Sequence, residues 1–213
     1  PREEPEERFQ VLKESGYDGV DVPGLPDQVD PKKLKEILDS YELAVSSVLT
    51  MWGSTLDLCY PDETLNRNAV NYVKKCIDMM DILDAAKISI GPASHKRVAV
   101  SEVSVEKLRS NFMRTAREIL KYAADRNREV LIEAYNRYEG YLGFLNTVAD
   151  AVKICEQLEM ENTGVVADTF HMNIEDPSIR DAIIKAGKWI KWVHLSDTLW
   201  DQVTLTSKRS SRL

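Results

Sequence analysis

Six short runs of apolar, largely β-branched residues alternate with longer amphipathic stretches, and this alternation restricts the fold more than any other feature. The runs cover residues 17–22, 43–49, 87–90, 129–133, 164–168 and 190–195. Gly, Pro, Asn or Asp lies beside each run, as is usual for strands. Their starts are on average about 35 residues apart, a spacing that favours parallel strands joined by right-handed helical crossovers.

The intervening stretches show the spacing of amphipathic helices. Helices are predicted at residues 3–15, 31–40, 66–83, 105–126 and 146–158. Asp30 precedes Pro31, a combination typical of a helix N-cap followed by the first helical residue. In the longest stretch, one face carries Leu108, Phe112, Ala116, Ile119 and Ala123. Such a face is expected to pack on the sheet.

A repeating strand and helix can form either an open doubly wound sheet or a closed (β/α)₈ barrel. The chain has neither a GxGxxG nor a GxxxxGK[ST] motif, so nothing marks a nucleotide site at a reversal of strand order. We therefore expect the α/β class and a (β/α)₈ TIM barrel. No strand precedes the first helix or follows residue 195, so the barrel is expected to lack its first and eighth strands. Residues 1–197 are predicted to form a single domain, and residues 198–213 a flexible tail.

Composition narrows the function classes. The formal charge of −7, from 28 basic and 35 acidic residues, argues against a dedicated partner of nucleic acids or anionic membranes, which needs clustered basic residues. No apolar run approaches the roughly 18 residues of a membrane span, and the charged residues 1–7 do not resemble a secretory signal. Three scattered cysteines favour reduced thiols, so we expect a cytoplasmic protein.

Polar residues stand where the predicted strands end, which is where barrel enzymes place their catalytic groups. In chain order these positions are Asp21, residues 50–52, Gly91, Glu133, Asp168 and His194. Three consecutive strands thus end in Glu133, Asp168 and His194. Neighbouring parallel strands are about 4.8 Å apart, so the three side chains can converge on one ion. Their oxygen and nitrogen donors suit Mn²⁺, Mg²⁺, Co²⁺ or Zn²⁺.

The segments that follow two of these strands, residues 133–139 and 168–173, are predicted loops with more polar groups than packing requires. Asp168 and His171 are three residues apart, so that one could bind a metal while the other reaches the same ligand. Arg137 could hold a carboxylate or a phosphate, or pair with Glu139 at the surface.

These segments carry a resemblance to a known family. ExxNRxE at residues 133–139, DTFHMNIED at 168–176 and VHLSD at 193–197 resemble the sugar isomerases and epimerases with xylose-isomerase-like barrels. Within that group the motifs are most similar to ketose 3-epimerases of the D-tagatose and D-psicose type. The opening GYDGVD at residues 16–21 is similar to the family's GYDGVE, and the likeness extends from about residue 7 to residue 197.

The resemblance implies a metal centre and a reaction. Glu133, Asp168 and His194 would bind a divalent metal, usually Mn²⁺ or Mg²⁺, with Co²⁺ or Zn²⁺ as alternatives. Glu133 would also transfer the proton at C3 of a ketose, through an enediolate that the metal stabilises. The family's fourth ligand and second acid is a Glu on the eighth strand, and none of the 213 residues supplies it. We therefore expect these residues alone to exchange the C3 proton without inverting C3.

The resemblance also implies a substrate site. His171 and Glu139 would hold the terminal oxygens of the sugar, and we place Asn136 and Arg137 with them as substrate-binding residues. The expected partner is a small ketose, and family members are often homodimers or homotetramers.

Other functions remain open on the sequence. A hydroxypyruvate isomerase or an inosose dehydratase would use the same kind of metal site, and a non-catalytic, truncated barrel is a further alternative. A metal-dependent abasic-site endonuclease would need a zinc cluster with many histidines. The chain has only three histidines and a negative charge, which disfavour the endonuclease.

Overall fold

The computed structural model describes residues 5–92, 103–140 and 143–196. Its strands are β1 Gly19–Gly24, β2 Ala44–Thr50, β3 Lys87–Ile90, β4 Glu129–Glu133, β5 Thr163–Asp168 and β6 Ile190–His194. Its α-helices are α1 Pro5–Glu14, α2 Pro31–Ser40, α3 Glu63–Leu83, α4 Val105–Ala124, α5 Val148–Leu158, α6 Thr169–Glu175 and α7 Ile179–Ala186, and a 3₁₀ turn covers Gly187–Trp189. The predicted tail at residues 198–213 lies outside the described residues.

The described strands form one parallel sheet in sequence order, from β1 to β6. All six predicted strands and all five predicted helices are confirmed, with small differences at their ends. The predicted N-cap is also confirmed, because the Asp30 carboxylate accepts the N–H groups of Lys32 and Lys33 at 3.0 and 3.4 Å. The architecture is that of a (β/α)₈ barrel from which the described residues supply six strands.

Two local predictions differ from the structure. The first strand is predicted at residues 17–22, whereas β1 continues through Pro23 and Gly24. Proline has no N–H group to give to a ladder, but within the described sheet β1 pairs on one side only, with β2, and such a strand tolerates proline. Residues after Asp168 were expected to form a loop, whereas they form α6. The Asp168 carboxylate accepts the N–H of Phe170 at 2.8 Å and so caps this helix.

The apolar faces of the helices pack against the sheet in one hydrophobic core. The predicted stripe of α4 is fully buried, and α3 and α5 bury matching faces that include Val73, Ile77 and Ile154. The three cysteines are also buried, and all are free. Within the described ranges, no helix is both long and apolar enough to cross a membrane.

The sheet is strongly curled, and a contact between its two edges demonstrates this. Asp21 lies on β1 and His194 ends β6, yet Oδ2 of Asp21 is 3.7 Å from Nε2 of His194. In a flat sheet, five strand spacings would place these positions about 24 Å apart. The curvature therefore brings all the strand ends around one concave space, as in a barrel.

Candidate metal and substrate site

Three strands deliver the candidate metal-binding side chains to the same end of the sheet. Glu133, Asp168 and His194 are the last residues of β4, β5 and β6. Asp168 and His194 are direct partners in the ladder between β5 and β6, and the Glu133 side chain is buried. The sequence prediction that these residues lie together is therefore matched by their positions, and their role as ligands remains a prediction.

The imidazole of His194 lies near both carboxylates. Nδ1 of His194 lies 3.5 Å from Oε1 of Glu133 and 3.5 Å from Oδ2 of Asp168. Ligands about 2.1 Å from a divalent ion are themselves about 3 Å apart. By donor type, two carboxylates and one imidazole fit Mn²⁺, Mg²⁺, Co²⁺ or Zn²⁺.

The electrostatics of this group favour a positive charge. Interaction with Asp168, and then with Glu133, raises the pKa of His194 to about 10. Burial would raise the pKa of Asp168, but His194, the charge of His171 and the N–H of Phe170 together hold it below its ordinary value. The two carboxylates thus stabilise a cation between them, which is the property that a metal site requires.

His171 lies beside the same carboxylates but offers a different chemistry. Ligand atoms of Glu133, Asp168 and His171 are all within 4.8 Å of one another. However, Nδ1 of His171 faces the backbone N–H of Asn136 at 3.2 Å and the Asn136 side-chain nitrogen at 2.9 Å. Because Nδ1 accepts these hydrogen bonds, a neutral ring carries its proton on Nε2 and can donate it. This arrangement supports the predicted contact with substrate.

A cavity of about 520 Å³ opens above these side chains, within the size range of small-molecule sites. The predicted residues Glu133, Glu139, Asp168, His171 and His194 all line it. Its remaining walls include Trp52, Tyr135 and Tyr138, together with Leu49, Thr50, Met51 and Ser89. A cavity that has aromatic rings on one wall and several carboxylates beside them is well suited to a polar ligand that also presents C–H faces.

Tyr135 connects the wall to the polar group. Its ring stacks on His171 with the centroids 5.0 Å apart. Burial, and then the charge of Glu133, raises the pKa of Tyr135 well above its ordinary value, so the phenol stays protonated. A Cβ atom at Gly91 would lie 2.8 Å from the Tyr135 ring, which explains why a glycine stands at the end of β3.

The structure does not bring Asn136 and Arg137 into the cavity lining. Asn136 is buried and its amide binds His171, while its Oδ1 accepts the N–H of Tyr138 at 2.9 Å. Arg137 forms a bidentate ion pair with Glu175, with Nε 2.9 Å from Oε1 and Nη2 2.8 Å from Oε2. Glu175, rather than Glu139, is thus the partner that the structure shows for Arg137. Contact of Asn136 and Arg137 with substrate remains a sequence prediction.

Sequence reasoning missed two contacts of this region. Glu175 was not singled out, although its side chain is only 5% exposed and it stands within the quoted DTFHMNIED segment. Asp21 was recognised as a strand-end residue but was given no role, whereas it faces His194. Burial would raise the pKa of Glu175, but Arg137 holds it below the ordinary value.

Comparisons with known proteins agree with this architecture. Residues 9–208 match the family model described as xylose isomerase-like TIM barrel. A probable ketose 3-epimerase of Synechocystis is 28% identical over 87% of this chain and 64% of its own length. A D-psicose 3-epimerase of Enterocloster bolteae is 30% identical over 85% of this chain and 62% of its own length. The chain thus spans less than two thirds of the length of these relatives.

Solved structures show the same fold. The structure of a 3-keto-D-glucoside 4-epimerase from E. coli superposes with a TM-score of 0.81 at 21% identity, covering 96% of this chain and 82% of that one. The structure of a D-psicose 3-epimerase with D-tagatose from Clostridium cellulolyticum superposes with a TM-score of 0.78 at 24% identity, covering 89% and 66%.

Proposed function

Because the chain belongs to the family of xylose isomerase-like TIM barrels, we propose that it is a metal-dependent sugar epimerase, most specifically a ketose 3-epimerase. The observation that carries this proposal is the placement of His194 Nδ1 at 3.5 Å from both Glu133 and Asp168. This group lies in the wall of a cavity of small-molecule size. Relatives named as ketose and D-psicose 3-epimerases support the choice of substrate class.

In this proposal Glu133, Asp168 and His194 hold the divalent ion, Mn²⁺ or Mg²⁺ before Co²⁺ or Zn²⁺. Such an ion, bound beside a ketone, makes the neighbouring C–H more acidic. The carboxylate of Glu133 then removes the proton from C3 of the sugar as a general base. Epimerisation further requires that a proton be delivered to the opposite face of C3.

The other cavity residues orient the sugar. Nε2 of His171 donates a hydrogen bond to a sugar oxygen, and the Glu139 carboxylate accepts one from a sugar hydroxyl. The Trp52 and Tyr135 rings cover C–H faces of the sugar and exclude water. Homodimer or homotetramer formation and a cytoplasmic location remain predictions from the sequence.

Deuterium exchange at C3 tests the proposed chemistry directly. The protein is incubated in D₂O with D-psicose, D-fructose, D-tagatose and L-ribulose in turn, with Mn²⁺ and with excess EDTA. We expect C3 deuteration that requires Mn²⁺ and that Glu133→Gln abolishes, while the exposed Glu156→Gln retains it. Product analysis shows whether exchange is accompanied by inversion. Exchange that persists in EDTA, or that survives Glu133→Gln, would refute the assigned roles.

Metal binding is tested separately by calorimetry with Mn²⁺. Asp168→Asn removes a charged ligand and is expected to weaken Mn²⁺ binding about tenfold or more, or roughly 1.4 kcal/mol. Unchanged affinity would remove Asp168 from the ligand set. If metal binds normally and no ketose exchanges its C3 proton, the hydroxypyruvate isomerase and inosose dehydratase types become the better candidates.

A further inference from the structure

The Nε2 nitrogen of His194 points away from Glu133 and Asp168 and lies near a different carboxylate. Nε2 is buried and has no hydrogen-bond partner among the described residues. Oδ2 of Asp21 lies 3.7 Å from this nitrogen. A buried N–H group without a hydrogen-bond partner destabilises the folded state. A small rotation of either side chain towards the other would turn this contact into a hydrogen bond, which needs about 2.9 Å.

Asp21 is held in position to receive this hydrogen bond. The Ser47 hydroxyl donates to Oδ1 of Asp21 at 2.7 Å, so the other carboxylate oxygen is the one that faces His194. The ladder between β1 and β2 shifts register beside Asp21, which pairs with Ser47. Such irregularities re-aim side chains next to functional sites. Ser47 itself is buried at 3% exposure, so its hydroxyl has little freedom to turn away.

We propose that Asp21 is the positioning residue of His194: its Oδ2 accepts a hydrogen bond from the Nε2–H group and so orients the ring with Nδ1 towards Glu133 and Asp168. This inference deepens the proposed function and depends on it. A carboxylate on the far nitrogen of a metal-binding imidazole fixes the tautomer and the ring orientation and increases its basicity. Asp21 itself stays away from the ion, because it faces the opposite nitrogen.

The contact between Asp21 and His194 also links the two edges of the curled sheet. Asp21 and His194 belong to the two edge strands of the described sheet, so their pairing couples the metal group to β1. A purely structural role for Asp21 would affect stability but not the protonation of one ring nitrogen. The experiment therefore needs a readout of the His194 tautomer in addition to metal affinity.

The test compares the wild-type chain with Asp21→Ala, Asp21→Asn and the control Asp18→Asn, in which an exposed aspartate undergoes the same change. Calorimetry gives the Mn²⁺ affinity, and ¹H–¹⁵N correlation of the imidazoles in Zn²⁺-loaded protein gives the tautomer. The chain contains only three histidines, and His194→Gln assigns the relevant signals. Thermal unfolding checks that each variant is folded.

We expect Asp21→Ala to weaken Mn²⁺ binding about 10- to 100-fold and to lose the protected Nε2–H signal of His194. Asp21→Asn retains an acceptor oxygen and should lose less affinity, and it carries the test if the alanine variant does not fold. Asp18→Asn should match wild type. Wild-type affinity and an unchanged Nε2–H signal in Asp21→Ala would overturn the inference alone. Failure of the wild-type chain to bind any divalent ion would overturn the proposed function and the inference together.

Discussion

Asn136 directs two N–H groups, one from its backbone and one from its side chain, to a single nitrogen of His171. The amide orientation is fixed because Oδ1 of Asn136 accepts the N–H of Tyr138. His171 therefore keeps a lone pair on Nδ1 and its proton on Nε2. His194 is arranged the other way round, since its Nδ1 faces the carboxylates. In the proposed function the two neighbouring histidines therefore have opposite roles, His171 as a donor to the sugar and His194 as a metal ligand.

The first prediction separates these roles by mutation. His171→Ala removes a donor to the sugar and should lower kcat/KM about tenfold or more. Its Mn²⁺ affinity should stay within about threefold of wild type, a change under about 0.7 kcal/mol. His194→Ala is the matched comparison and should lose metal binding. Calorimetry and steady-state kinetics measure both quantities, and loss of metal on changing His171 would place it among the ligands.

The second prediction concerns the close approach of β3 to the aromatic wall. A Cβ atom at position 91 would meet the Tyr135 ring at 2.8 Å, so Gly91→Ala should displace this ring and the His171 ring stacked on it. We expect kcat/KM to fall about tenfold or more, because small misplacements of orienting groups are costly. Gly53→Ala is the control, since nothing lies within 4 Å of its added Cβ atom. Equal kinetics for both variants would contradict this account.

The strand order and the three strand-end residues could be predicted because both follow from local pattern. Alternating runs define parallel strands, and parallel strands place Glu133, Asp168 and His194 at one edge whatever the details of packing. The course of β1 through Pro23 could not be predicted in this way. It depends on which side of β1 is paired within the described sheet, which is a property of the assembled sheet.

The remaining contacts of the site depend on tertiary structure. Asp21 reaches His194 only because the sheet curls across six strands, and no local pattern specifies that curvature. Arg137 meets Glu175 because α6 begins directly after Asp168, where the sequence suggested a loop. Residue types therefore predicted which chemistry is present, whereas the fold determined which pairs form.

The third prediction tests the pairing of Arg137 with Glu175. Arg137→Gln leaves the nearly buried Glu175 carboxylate without its bidentate partner, so the urea midpoint of unfolding should fall at pH 7. Arg137 lowers the pKa of Glu175, so this stabilisation is present above the ordinary pKa of Glu and is lost as the pH falls through the lowered one. The fall in the urea midpoint that Arg137→Gln causes should therefore become smaller in acid. Arg180→Gln removes the same charge from an exposed position, with an 84% exposed side chain, and should have little effect at either pH.

The last prediction concerns Asp176, the C-cap residue of α6, whose carboxylate accepts the N–H of Val148, at the start of α5, at 3.4 Å. Burial, and then the charges of Asp150 and Glu175, raises the pKa of Asp176 to about 6 from an ordinary 3.8, although the N–H of Val148 opposes this change. The native state therefore binds this proton more tightly than the unfolded chain, and it loses stability as the pH rises from about 4 to about 6. Asp176→Asn removes this half-buried charge and keeps an acceptor for Val148. The full shift in the pKa of Asp176 would correspond to about 3 kcal/mol of stability. Partial exposure reduces this effect, so we expect the free energy of unfolding to rise by about 1 to 2 kcal/mol at pH 7.5.

Urea unfolding at pH 7.5 and pH 4 measures this gain in stability, with Asp18→Asn as an exposed control. The gain should disappear at pH 4, and an equal gain at both pH values would show that ionisation of Asp176 is not its cause.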